Sequence, residues 1–268
     1  PLMIRPFLKG LTKSELLTIM VGGMATIAGG VMAAYIQILG NSFSQSMNIP
    51  LEEAQLLFAT HLLGASVMAA PAALLLSKIM FPETSEPETK GTVKVNIEKT
   101  TSNVIEAAAA GASDGVKLAL NVGAMLIAFI ALIAFLNYIL MWIGDIFSFN
   151  ESLIAQFGQP LNFQLVIGSI LQFIAFGIGV PWQDALEFGS LLGTKIVLNE
   201  FVAYLEMGKM IEVKTLFDQK SILMATYALC GFANFSSIAI QIGGIGPLAP
   251  ERRSDLAKLE ASPPPRQT

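Results

Sequence analysis

The chain has 268 residues, of which 53% are hydrophobic and only 13% charged, about half the charged share of a typical soluble domain. Its net charge is −4, and no basic run carries interleaved aromatics, so nothing in it points to nucleic-acid binding. The charges are clumped: none falls between Glu15 and Glu52, Glu53 and Lys78, Lys117 and Asp145, Glu151 and Asp184, or Lys220 and Glu251. Each gap exceeds the roughly 20 residues that an α-helix needs to cross a bilayer. Lipid cannot hydrogen-bond backbone amides, so these runs predict a polytopic helical membrane protein. The alternation of a membrane β-barrel is absent. The single cysteine, Cys230, excludes an internal disulfide and a cysteine metal cluster.

Residues 1–14, PLMIRPFLKGLTKS, hold Arg5, Lys9 and Lys13. A span follows at about 15–39, with the small-residue stretch GGMATIAGG at 22–30. A loop at 40–53 has no lysine or arginine, and a second span at about 54–79 contains Pro71, which predicts a kink. Residues 81–100 form a charged loop, 102–117 a short alanine-rich amphipathic surface helix, and 118–146 a long span. Loop 147–162 is again free of lysine and arginine, 163–180 is apolar, and Pro181-Trp182 marks a break. Lysine and arginine favour the cytoplasmic side, which places the basic loops inside and loops 40–53 and 147–162 outside. The stretch with Lys209, Lys214 and Lys220 runs against that parity. The ending ASPPPRQT has the composition of a disordered tail, and with Pro1 at the other end the chain reads as a piece of a longer one.

Residues 23–29, GMATIAG, align with 231–237, GFANFSS, at an offset of 208. Paired small-residue, Gly-interrupted spans fit two uses: close helix packing, and the broken helices of inverted-repeat transporters.

Within GTKIVLNEFVAY (193–204) stand Lys195, Asn199 and Glu200, in a chain where ionisable groups are costly. The flanking apolar segments 184–197 and 201–208 are each too short to span. A re-entrant hairpin with Leu198-Asn199-Glu200 near its tip fits, since such backbone is tolerated at depth when it is buried in protein or lines a watery cavity. Glu200 is then a carboxylate at mid-membrane, either paired internally with Lys195 or accepting hydrogen bonds from two neighbouring hydroxyls, as on a sugar. Asn199 can cap the second half-helix or touch a ligand. Lys195 and the lone His61 read as structural. One such acid, one histidine and no second acid nearby argue against an intramembrane enzyme.

The motif G-x-K-x-x-x-N-E-F-V-A-Y from Gly193 to Tyr204 resembles the signature of the concentrative nucleoside transporters. HLLGASVMAAPAALLLSK (61–78), GVPWQDAL (179–186), CGFANFSSIAIQIGG (230–244) and PERRSDLAK (250–258) extend the resemblance over nearly the whole chain. It implies a homotrimer in the cell inner (plasma) membrane. Each multi-pass subunit moves nucleosides inward with Na⁺, or in some members H⁺, and needs no cofactor. By motif, Glu200, Asn234 and Ser237 meet the ribose, Phe232 packs beside the substrate, and Val31 contacts the nucleobase. Thr26, by its hydroxyl, and Ile27, by its carbonyl, help hold the ion; the family pattern has serine at the position of Thr26. The resemblance also implies a Gly-Gln-Thr-Glu-Ala hairpin tip immediately upstream of PLMIRPFL. Residues 1–14 are then the second half of a first hairpin, and 15–146 the spans with the first broken helix and a cytoplasmic loop at 81–113. Residues 147–250 are an outer helix, the second re-entrant hairpin and the second broken helix, and 251–268 a cytoplasmic loop and tail. The competing expectation is a channel or non-transporting membrane scaffold of similar helical build.

Overall fold

The computed structural model of the chain describes residues 7–87, 89–91, 103–216 and 218–261. The described residues form helices joined by short turns, with no strand among them. In chain order these are α1 (Lys13–Ala25), α2 (Gly29–Met47), α3 (Leu51–Met80), α4 (Val104–Ile146), α5 (Phe149–Phe157), α6 (Phe163–Gly177), α7 (Trp182–Val197), α8 (Glu200–Glu212), α9 (Gln219–Leu229), α10 (Phe235–Ile245) and α11 (Arg253–Ala261). The expectations for residues 1–6, for most of the loop 88–102 and for the tail 262–268 lie outside the described residues.

Helices α1 and α2 read as one stretch, Lys13–Met47, are long and apolar enough to cross a bilayer, as is α3. Ile130–Ile146 and Phe149–Phe157 join them if the pair, bent by 112°, is one span. Exposed Leu63, Val67, Leu74 and Leu75 on α3, and Ile130, Phe135 and Trp142 on α4, give these helices faces that water would disfavour.

Several predicted boundaries are corrected. The loop expected at 40–53 is mostly helix: α2 runs on to Met47 because its later turns are amphipathic, burying Ser42 and Phe43, and it stops only where Asn48 turns left-handed (φ 53°). The short helix expected at 102–117 is not separate from the span at 118–146. Together they form α4, 43 residues or roughly 65 Å, more than twice the hydrocarbon thickness. Asn103 Oδ1 accepts from Glu106 N at 2.8 Å and starts it, and without a proline the glycines at 111, 115 and 123 do not end it. Residues 104–113, expected in the loop 81–113, are thus helical. Loop 147–162 contains α5. Its bend is organised by Asn150, whose Nδ2 donates to Met141 O and Asp145 Oδ1 and whose Oδ1 accepts from Leu161 N. Pro71 lies inside α3 without ending it. The predicted break at Pro181-Trp182 matches the start of α7.

The chain divides into two compact units. One comprises Met24–Ala70 and Ile130–Phe235. Its core gathers Tyr35, Leu39 and Phe43 of α2, Phe58 and Leu62 of α3, Phe188 and Leu191 of α7, and Tyr204, Met207 and Ile211 of α8. Helices α6 and α7 touch backbone to backbone in it: a methyl group on Gly193 would lie 2.6 Å from the carbonyl of Gln164, and one on Gly168 2.9 Å from Ser190 Cα. The other unit comprises Pro1–Gly23, Pro71–Phe129 and Ser236–Thr268. Its core joins Leu8, Leu11, Leu16 and Met20 to Ile245, Ala249 and Leu256. Arg252 ties this unit's surface, its Nη1 donating to the carbonyls of Leu8, Lys9 and Leu11 while Nε pairs with Asp255 at 3.0 Å.

Candidate functional site

The stretch that carries the unexpected polar residues is a helical hairpin. Helix α7 ends at Val197, Leu198 and Asn199 make the turn, and α8 begins at Glu200. Asn199 is extended (φ −166°, ψ 168°) and its side chain accepts from Val202 N at 2.9 Å. Of its two predicted uses, the cap is the one with a contact in the structure: it satisfies one of the amides that a helix start leaves without a partner. The arms are tied further on by Thr194 Oγ1, which donates to Glu206 Oε2 at 2.8 Å.

Glu200 is the first residue of α8, where the positive end of the helix dipole favours a carboxylate. It is fully buried. Oε1 accepts from Tyr35 Oη at 3.1 Å and Oε2 from Asn234 Nδ2 at 3.3 Å, both longer than is usual for their type. Two residues separated from Glu200 by 165 and 34 positions thus meet it from two other elements. Lys195 does not pair with it. The ammonium group donates to the carbonyls of Ala228 (2.9 Å) and Cys230 (3.1 Å), where α9 runs out. Those carbonyls have no intrahelical donor, so a buried cation at the negative end of α9 satisfies them.

Both small-residue stretches are interruptions between helices. The first is Thr26-Ile27-Ala28, between α1 and α2. The second is residues 230–234, between α9 and α10, so it starts earlier than the offset of 208 would place it. The two interruptions touch: Phe232 N donates to Met24 O at 2.6 Å, taking up a carbonyl that α1 cannot use internally. Gly231 has φ 90°, and a methyl group on it would sit 2.9 Å from Met24 O and 3.0 Å from Ala25 O. Glycine is required there both by conformation and by the close approach.

The remaining predicted residues are placed as follows. Ile27 is buried in the core that holds Tyr35, and Val31 packs against that core from α2. Phe232 is half-buried, two residues before Asn234. Ser237 is buried on α10, in the other compact unit. Thr26 lies at the first interruption. The structure therefore joins Glu200 with Asn234, and adds a residue that sequence reasoning missed, Tyr35. Its ring lies 4.2 Å from that of Tyr204, whose Oη donates to Thr226 O at 2.8 Å. The available signal was a phenolic hydroxyl one helical turn beyond Val31, on the same face of α2. His61, expected to be structural, meets Tyr227 Oη through Nδ1 at 3.0 Å, with the rings edge to face.

The geometry has counterparts among known proteins. Residues 61–262 match the family profile described as Na⁺ dependent nucleoside transporter C-terminus. An uncharacterized transporter of Haemophilus influenzae is 46% identical over 262 residues, covering 97% of this chain and 56% of that one. The human sodium/nucleoside cotransporter 1 is 40% identical over 272 residues, covering 97% of this chain and 38% of that protein. The chain thus spans little more than half the length of the bacterial relative. Among solved structures, CNTnw in an inward-facing substrate-bound state superposes with a TM-score of 0.68 at 38% identity, over 97% of this chain and 55% of CNTnw. A CNTnw variant in an outward-facing state gives 0.73 at 39% identity, over the same shares. These relatives are transporters and not enzymes, and the discontinuous helices, hairpin and apolar helices found here are those of a polytopic membrane protein of that kind. The chain belongs to the Na⁺-dependent, concentrative nucleoside transporter family, whose C-terminal part it matches.

Proposed function

We propose that this chain forms the sugar-binding part of a Na⁺-coupled nucleoside symporter, with Glu200 as the group that accepts the ribose hydroxyls. The observation that carries this reading is the burial of Glu200 at a hairpin tip, with Asn234 of the second interruption on one oxygen. A carboxylate offers about four lone-pair directions, and the vicinal diol of ribose supplies two donors at matching spacing. By the family motif Ser237 adds a hydroxyl, Phe232 an apolar ring and Val31 contact with the base. Asn199 lies at the tip, its cap serving to present Glu200.

The ion is assigned to the first interruption. Na⁺ prefers oxygen ligands, and α1 ends there with carbonyls that lack internal donors; Thr26 adds a hydroxyl and Ile27 a carbonyl. Inward movement of Na⁺ releases roughly 2.3 kcal/mol per 100 mV of membrane potential, which drives nucleoside uptake. The relatives' sodium coupling favours Na⁺ over H⁺ here. The working unit is a homotrimer of multi-pass subunits in the cell inner membrane, residues 81–113 and 251–268 facing the cytoplasm.

The test is Glu200→Gln in a full-length transporter carrying this segment. The amide keeps the shape but loses an acceptor and the charge, so uridine affinity should fall by about 100-fold, the worth of charge-assisted hydrogen bonds. Equilibrium binding and saturable, sodium-dependent uptake of labelled uridine measure it. Unchanged affinity, or flux that does not saturate, would contradict the proposal.

A further inference from the structure

We infer that Lys195 is a positioning residue for Asn234, a tethered cation standing where a broken helix would otherwise hold a free one. The inference rests on the reading above that Asn234 and Glu200 meet the nucleoside. Lys195 lies in the last turn of α7, just before the hairpin turns. It is buried, at 8% exposure, and its ammonium group donates to Ala228 O at 2.9 Å and to Cys230 O at 3.1 Å. Among the described residues no carboxylate lies within ion-pair distance of it. The charge is therefore held by backbone carbonyls at the negative end of α9. That is how unwound backbone and half-helix ends hold a monovalent cation.

The hairpin thereby grips the second interruption from both sides. Its first arm fixes the carbonyls of Ala228 and Cys230 through Lys195, and its second arm meets Asn234 Nδ2 with Glu200 Oε2 at 3.3 Å. Between these two holds the chain turns at Gly231 (φ 90°), Phe232 N donates to Met24 O, and Asn234 N donates to Phe232 O at 3.1 Å. So short a path ties the place of Asn234 to that of the carbonyls before it. What Lys195 supplies there is a charge and its donors, while the aliphatic stem carries them to the site. Lys195 therefore acts through the backbone and needs no contact with the nucleoside. A free cation with the same head group should serve in its place once the stem is removed.

The experiment is equilibrium binding of uridine, at saturating Na⁺, to a full-length transporter carrying this segment. Lys195→Ala removes the side chain beyond Cβ, which has the atoms of n-propylammonium. Uridine affinity should fall on the order of tenfold, the worth of one hydrogen bond to a charged group. Added propylammonium should restore it saturably, to within about threefold of the native value, while 1-propanol, which fills the same space without charge, should not. Lys195→Met should lose as much and gain nothing from propylammonium, because its stem fills the space. Equal restoration by propanol, a loss that propylammonium does not restore, or no loss at all overturns the inference. If Lys195→Ala does not fold, Lys195→Met carries the test: uridine affinity should fall about tenfold while half-saturation by Na⁺ at saturating uridine stays within about twofold. Unchanged uridine affinity overturns the inference, and so do equal shifts in both, which mean that Lys195 only supports the fold. Glu200→Gln run alongside separates the two readings. If it leaves uridine affinity intact, the nucleoside assignment itself fails; if it weakens uridine while Lys195→Ala does not, or is not restored by propylammonium, only the role of Lys195 falls.

Discussion

At the second interruption the backbone is clamped. Gly231 takes φ 90° against the carbonyls of Met24 and Ala25, Lys195 donates to the carbonyls of Ala228 and Cys230, and Phe232 N reaches Met24 O. At the first, α1 stops at Ala25 and α2 starts at Gly29 behind Ala28, which has ordinary extended angles (φ −68°, ψ 137°) and offers no side-chain cap. The first helix is instead fastened at its far end. Thr12 Oγ1 donates to Glu83, Ser14 Oγ to Phe81 O, and Lys78 to Ser14, while Thr18 and Ser77 share a hydrogen bond. Two similar stretches of small residues thus serve differently. The one that presents Asn234 to Glu200 has, besides the contact with Met24 that both breaks share, a lysine on its carbonyls. The first shares the contact between Phe232 N and Met24 O but has no side-chain cap on its downstream helix.

The largest effect should come from loosening the clamp. Lys195→Met keeps the length and apolar stem but takes the donor from two carbonyls of half-buried residues, a loss of about 1–3 kcal/mol. Thermal unfolding of the full-length protein should show a lowered Tm, and uridine affinity should fall with it because Asn234 follows directly. A normal Tm with normal affinity would mean that the second break needs no clamp. Thr26→Ala should do less, and to a different ligand. It removes one hydroxyl at the first break, so half-saturation by Na⁺ should rise several-fold while uridine affinity at saturating Na⁺ stays within about twofold. If the uridine value moves and the Na⁺ value does not, the assignments of the two breaks are exchanged.

Local signals were the legible ones. The half-helices around Leu198-Asn199 follow from their shortness and from asparagine as a cap, and the structure puts the turn and the capping contact there. What hydropathy reports is where lipid is tolerated and not where a helix ends, so it cut α4 at 117 and α2 at 39, although both helices continue beyond those points. The offset of 208 found both interruptions but misplaced the start of the second, because Gly231 and the Lys195 contact are not repeated at the first. Of the long-range pairings, only that of Glu200 with Asn234 was legible, through the family motif. Nothing in the neighbourhood of Tyr35 announces a partner 165 residues away, and the same holds for Lys195 and the end of α9. Such pairs are set by packing of whole helices, which a single sequence does not display.

The smallest effect concerns the far-end fastening of α1, and it carries a sign. Glu83 lies in the turn after α3 and accepts from Thr12 Oγ1 at 2.6 Å, with Lys78 Nζ at 3.7 Å. That hydrogen bond, more than the contacts with Ser85 and Lys78, holds its carboxyl below the usual carboxylate range. A carboxyl lowered on folding stabilises the fold above its unfolded value of about 4.3, and the contribution disappears as pH falls through the lower, folded value. Glu83→Gln should therefore lower Tm slightly at pH 7, by less than about 1 kcal/mol in this water-facing setting, and the gap from the native chain should close as pH is taken towards 3. Because the fastening is remote from the break, Na⁺ half-saturation at pH 7 should not change. A shift there comparable to that of Thr26→Ala would show that the first break is clamped after all, from its far end, and would erase the contrast with the second.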